Sequence, residues 1–122
     1  MRTEQIQQTL DKLADSSPEV EGAALVDREG FIVASRLPEN LEEDRVAALM
    51  AAFQGLAQRY AEETGKGRPV QFFLQTESGY VVVADAGEDA CLALLSNRYA
   101  KPGMLLLDLR RTSAEIRKLL SA

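Results

Sequence analysis

The chain has 122 residues, 46% of them hydrophobic, and its fourteen basic and nineteen acidic side chains leave a net charge of −5. That length makes one domain, residues 1–122, able to bury roughly two-thirds of its unfolded surface without a disulfide or metal. The acidic balance argues against nucleic acid or anionic lipid as a partner. With one cysteine, no apolar leader in residues 1–8 and no run near the roughly 18 apolar residues of a membrane span, the expected location is the cytoplasm, with no direct membrane insertion. Residues 3–14 carry Ile6, Leu10 and Leu13 at helical spacing, with Thr3 placed to cap the first turn and Ser16, Ser17 and Pro18 ending it. Residues 20–27 and 31–35 read as strands joined by Asp27-Arg28-Glu29-Gly30, a turn in which Gly30 takes positive φ without a Cβ clash. A long helix follows, with Asn40 and Glu43 at capping-box spacing and Gly65 at its C′ position. Residues 69–96 hold three more strands, broken at Glu77-Ser78-Gly79 and Ala86-Gly87-Glu88-Asp89, turns short enough to force antiparallel neighbours. A last helix over 103–121 sets Leu105, Leu106, Leu109, Ile116, Leu119 and Leu120 mostly on one side, with Arg110, Arg111, Arg117 and Lys118 mostly on the other. The order is αββαβββα, an α+β chain.

The central helix is apolar all round. Between Ala47 and Ala57 its one polar side chain is Gln54. Val46, Leu49, Met50, Phe53, Leu56, Ala57 and Tyr60 form one broad stripe, expected against a sheet; Ala47, Ala48, Ala51, Ala52 and Gly55 form the other, expected to meet a second helix. A second copy of the chain and the chain's own other helices are both able to supply that cover. Among the strands, the runs Ala23-Ala24-Leu25-Val26 and Cys91-Leu92-Ala93-Leu94-Leu95 are apolar on both faces and read as central. Val70, Phe72 and Leu74 alternate with Gln71, Phe73 and Gln75, the pattern of an edge strand, and no Lys or Asp interrupts its middle to block pairing with another strand.

Enzyme chemistry finds little support. There is no histidine, so the usual base of Ser or Cys triads and the commonest transition-metal ligand are missing. Thr64-Gly65-Lys66-Gly67 has the look of a phosphate loop, but the Walker pattern needs Gly at position 60 and Ser or Thr at 67, where Tyr60 and Gly67 stand, and the segment follows a helix instead of opening one. Lys66 is better read as a cation at a helix C-terminus. Asp85, Glu88 and Asp89 lack the alternating ligands of a calcium loop and read as a polar turn. Cys91, inside an apolar run, reads as a buried hydrophobe and not a reactive thiol. Asn97-Arg98-Tyr99-Ala100-Lys101-Pro102 is a basic and aromatic loop to which no role is assigned; one Tyr and two cations do not make a base-stacking surface.

Three segments carry a family likeness. Gly22-Ala23-Ala24-Leu25-Val26-Asp27-Arg28-Glu29-Gly30-Phe31 resembles the first hairpin of the Roadblock family. Gly79-Tyr80-Val81-Val82-Val83 through Ala86-Gly87-Glu88-Asp89-Ala90 resembles its fourth strand and turn, and Gly103-Met104-Leu105-Leu106-Leu107-Asp108-Leu109-Arg110 the start of its last helix. The likeness spans nearly the whole chain, and its specificity lies in the order and spacing of the motifs together with the Ala-rich helix. It implies a three-layer α/β/α, profilin-like fold: a five-stranded antiparallel sheet in order 2-1-5-4-3, the central helix on one face and the terminal helices on the other.

The resemblance also implies a homodimer in which central helices pack antiparallel and third strands join edge to edge. The expected interface is then Ala47, Ala48, Ala51, Ala52, Gly55, Val70, Phe72 and Phe73. The family's partners are typically small Ras-like GTPases, and its bacterial gliding-motility regulators of the MglB type stimulate hydrolysis by a polarity GTPase. The expected function is a noncatalytic adaptor or regulator, with Arg45, Gln54, Gln58 and Arg59 as candidate GTPase contacts, no arginine finger, no catalytic residue, no cofactor and no metal. A small-molecule sensor is the alternative, set second because the interior positions read as filled by aliphatics without convergent polar groups. A weak or unusual enzyme is third, with no constellation to name.

Overall fold

The computed structural model describes residues 2–121. Its elements are α1 (Arg2–Ala14), β1 (Val20–Asp27), β2 (Ile32–Arg36), α2 (Glu43–Glu63), β3 (Gln71–Thr76), β4 (Gly79–Asp85), β5 (Ala90–Asn97) and α3 (Pro102–Ser121). The strands form one sheet in the order β2-β1-β5-β4-β3, and every neighbouring pair is antiparallel. The expected αββαβββα order and strand sequence are present, with β1 and β5 central and β3 at an edge.

Alternation along the strands builds two cores of different depth. On one face Ala23, Leu25, Val82, Leu92 and Leu94 meet Ile6, Leu10 and Leu13 of α1 and Leu105, Leu109 and Ile116 of α3. On the other, Ala24, Val26, Val83, Cys91 and Ala93 lie beneath Ala47 and Met50 of α2. Leucines fill the first core, whereas alanines and a cysteine floor much of the second. A helix over such a shallow floor must come close, and it does so through its own small residues.

Three local expectations are corrected. Phe31 belongs to the hairpin turn, not to β2: its N–H and that of Glu29 both donate to Asp27 Oδ1 at 3.0 Å, and its carbonyl accepts from the Asp27 N–H. Thr3 sits inside the first turn of α1, so the cap position lies outside the described residues. The Asn40 and Glu43 capping box is not made; Glu42 is the N-cap without a side-chain cap bond, and Glu43 accepts from the Ser35 hydroxyl instead. The other end of α2 is as expected: Gly65 has φ +69°, its N–H donates to Glu62 O at 3.1 Å, and Lys66 N–H donates to Ala61 O at 2.8 Å, a Schellman closure.

Candidate functional site

The inward side of α2 is rotated relative to the sequence expectation: Val46, Met50 and Ala57 face the sheet as expected, but Leu49, Phe53, Leu56 and Tyr60 do not. Ala47 is fully buried and Met50 nearly so, and the inward stripe continues through half-buried Ala51, Gln54, Ala57 and Ala61. The large side chains point outward: Leu49 is 57% exposed, Phe53 48%, Leu56 66% and Tyr60 73%. Close approach is the reason. At Gly30, with φ +92°, a Cβ would stand 3.3 Å from Ala48 Cα and 3.4 Å from Ala51 Cβ. The β1–β2 turn therefore presses against small residues of the helix, and no Leu or Phe fits there. Ala47 is thus sealed within the chain and unavailable to a partner, while Ala48, Ala52 and Gly55 remain exposed among the outward aromatic and aliphatic groups.

This outward face continues onto the sheet edge. The Phe53 ring lies 6.0 Å from that of half-buried Phe72. Leu74, two residues along the same face of β3, and Val70, just before the strand, are exposed. Phe73 projects to the opposite face, where its ring stands 5.2 Å from that of Tyr80. Helix and edge strand together present a contiguous apolar surface of a kind that folded chains rarely leave in water.

The four candidate GTPase contacts do not all project from one side of α2. Arg45 and Arg59 project outward, Arg45 lying 3.9 Å from Glu42. Gln54 and Gln58 follow the inward stripe instead, because positions 47, 51, 54 and 58 recur at helical spacing, with Gln54 half-buried and Gln58 exposed at its end. There the helix stands off the sheet, leaving a cavity of about 180 Å³ whose lining includes Val26, Asp27, Arg28, Ala51, Gln54, Gln58, Arg68, Asp85, Glu88 and Cys91. The interior is therefore not filled throughout, and polar groups do converge in it. Small side chains above and below leave the gap.

Asp85, at the end of β4, is the buried charge at this end of the sheet. Its Oδ2 lies 2.8 Å from Arg68 and 3.2 Å from Arg117, and its backbone carbonyl accepts from Ser113 Oγ at 3.0 Å and from Arg117 at 3.3 Å. The two arginines come from the loop before β3 and from α3, so one carboxylate ties both layers of the fold together. Sequence inspection missed this triad because its members are 17 and 32 residues from Asp85, with no local spacing to betray them. Asp89 lies 3.9 Å from Arg28. Among the described residues, no group of three or more His, Cys, Asp or Glu is placed to hold a metal ion.

Cys91, opposite Asp85 in the β4–β5 register, is buried as expected. Burial pushes its thiol up to about 11 from an ordinary 9.0, and the negative charge of Asp85 adds to the shift. In the loop before α3, the Arg98 guanidinium stands 5.0 Å from the Tyr99 ring centroid and donates to its hydroxyl at 2.8 Å. No described helix is long and apolar enough to cross a membrane.

A family model described as Roadblock/LC7 domain matches residues 6–96. The chain is 30% identical over 98 residues to the uncharacterized protein MJ1340 of Methanocaldococcus jannaschii, covering 80% of this chain and 85% of that protein. It aligns with the gliding protein MglB of Thermus thermophilus at TM-score 0.90 and 26% identity, over 98% of this chain and 91% of that one. An MglB solved in a tetrameric arrangement gives TM-score 0.91 and 25% identity, over 98% and 90%. Profilin II of Acanthamoeba castellanii shares the fold alone, at TM-score 0.65 and 16% identity, over 92% of this chain and 96% of that one.

Proposed function

This chain belongs to the Roadblock/LC7 domain family, and from that premise we propose that it is a noncatalytic homodimeric adaptor that binds a small Ras-like GTPase across its paired α2 helices and stimulates GTP hydrolysis. The observation that carries the proposal is the outward face of α2, where Leu49, Phe53, Leu56 and Tyr60 stand exposed in a row. Two copies related by a two-fold axis bury that row against itself, with Ala48, Ala52 and Gly55 allowing the backbones to approach. Phe72 and Leu74 extend the same contact, and β3, at the edge of the sheet, is free to pair with its twin from Val70 through Phe73. Ala51 is set aside with Ala47 as an inward packing residue.

Likeness to MglB supports the regulator reading. Arg45 and Arg59, outside the helix pairing and pointing to solvent, serve as rim contacts for the GTPase; the dimer acts by holding the GTPase's own catalytic groups in place, with no arginine inserted into the phosphate site. The test has two parts. The mass of the purified protein in solution must be that of a dimer. Binding to each Ras-like GTPase of the same genome is then measured in both nucleotide states, with turnover followed for any that binds. Nucleotide-dependent binding is expected, and Arg45→Ala and Arg59→Ala should weaken it while leaving maximal stimulation intact. A monomer, or a loss of stimulation with binding unchanged, overturns the corresponding part of the proposal.

A further inference from the structure

We propose that the gap between the C-terminal half of α2 and the sheet is a binding site for a single planar ring with a polar edge, of the class of a free nucleobase. The site is on the inner side of α2, shares only Gly55 with the proposed dimerisation face, and does not depend on the function proposed above.

Size sets the first limit. A dry cavity of ~150 Å³ accommodates benzene, so about 180 Å³ suits one ring system and not a ring with its sugar and phosphates. Chemistry sets the second. The walls of this slot at Val26, Ala51, Ala90 and Cys91 are apolar and small, and, Gln54 apart, the longer lining side chains of Arg28, Gln58 and Arg68 are all exposed. Gln54 lines the slot half-buried, and among the described residues its amide has no hydrogen-bond partner. Gln58, one turn on and exposed at the mouth of the slot, is held only by a 3.4 Å contact to Glu62. A primary amide offers a donor and an acceptor in one plane, the arrangement that pairs with adjacent acceptor and donor atoms on a base edge.

Charge sets the third limit. The carboxylate of Asp27 is engaged by the N–H groups of Glu29 and Phe31, and that of Asp85 by two guanidiniums. Neither carboxylate asks for a cation, and the other lining charges not held within the site, Arg28 and Glu88, are exposed and opposite in sign, so a neutral ring is favoured over an anion or a cation. Arg28, also lining the gap, is 59% exposed and held to Asp89 only at 3.9 Å. Its planar guanidinium is free to stack over the face of a seated ring.

The experiment titrates the full chain separately with adenine, hypoxanthine, cytosine and uracil, followed by amide NMR and by the rate at which iodoacetamide alkylates Cys91. At least one base should shift Ala51, Gln54 and Ala90 saturably and slow the alkylation. Gln54→Leu and Gln58→Leu should each weaken that binding by about tenfold or more, the loss expected for one good base-edge contact, with the melting temperature unchanged. If all four bases leave these resonances unmoved up to their solubility limits, or if both variants bind as well as the parent, the inference is wrong. The mass in solution separates it from the proposed function: a monomer that binds a base refutes only the dimer, and a dimer that binds none refutes only this site.

Discussion

Leu56→Glu is the most direct probe of the outward face of α2. Leu56 is 66% exposed in the single chain. Fully burying a leucine is worth about 1.5–3 kcal/mol, so covering the exposed two-thirds contributes about 1–2 kcal/mol. A two-fold interface contains the residue twice, giving about 2–4 kcal/mol in all, or roughly a 30- to 700-fold change in the dimer dissociation constant. Because the side chain carries little of the intrachain core, the folded monomer should keep its helix content by far-UV circular dichroism. Sedimentation velocity over a concentration series measures the dissociation constant directly. A Leu56→Glu protein that remains folded and dimeric, with a constant within about twofold of the parent, would refute the assignment of this face as the interface, since a charge cannot be buried there without cost.

Ala52→Glu should likewise yield folded monomer, whereas Ala47→Leu should leave any dimer contact alone and lower stability by about 1–3 kcal/mol through overpacking against the sheet; denaturant melts of the two variants separate the effects. Removing Arg68 or Arg117 alone should cost less than about 1 kcal/mol, because each is substantially exposed and the other still faces Asp85. Replacing both with Met strands a buried carboxylate and should cost on the order of 3 kcal/mol, a more than additive loss that a double-mutant cycle in urea would detect. For Cys91, a thiol raised to about 11 when folded and near 9.0 when unfolded loses protons first in the unfolded chain. Its stabilising contribution is full below pH 9 and declines as pH rises toward 11, by at most about 2–3 kcal/mol. Cys91→Ala should flatten that part of the alkaline stability profile; an identical slope in both proteins would exclude the thiol as its source.

Much of the fold is written locally. The narrow stripe of Ile6, Leu10 and Leu13, the two-sided apolar runs in β1 and β5, and the short turns at Gly30, Glu77 and Gly87 set helix, strand and antiparallel neighbour before any long-range contact is considered, because each depends on periods of 3.6 or 2 and on a few backbone dihedrals. The seat of α2 is different. Its Ala-rich and Leu-rich sides are both apolar, so hydrophobic periodicity has no preference between them. The choice falls to clearance: a sheet floored by Ala24, Cys91 and Ala93, and a turn at Gly30 that admits only Ala48 and Ala51, bring the small side inward and send Leu49, Phe53, Leu56 and Tyr60 out.

The same distinction governs the candidate sites. That Gln54 and Gln58 share a stripe with Ala47 and Ala51 is legible from spacing alone, but that the stripe spans a gap requires knowing how high the helix rides over the sheet. The meeting of Arg68 and Arg117 on Asp85 is likewise a property of the assembled layers. Sequence by itself determined the elements, their order and the edge position of β3, since these follow from pattern and turn length. Only the tertiary structure decided which face of α2 is open and where a cavity remains, since both depend on volumes brought together from strands and helices far apart in the chain.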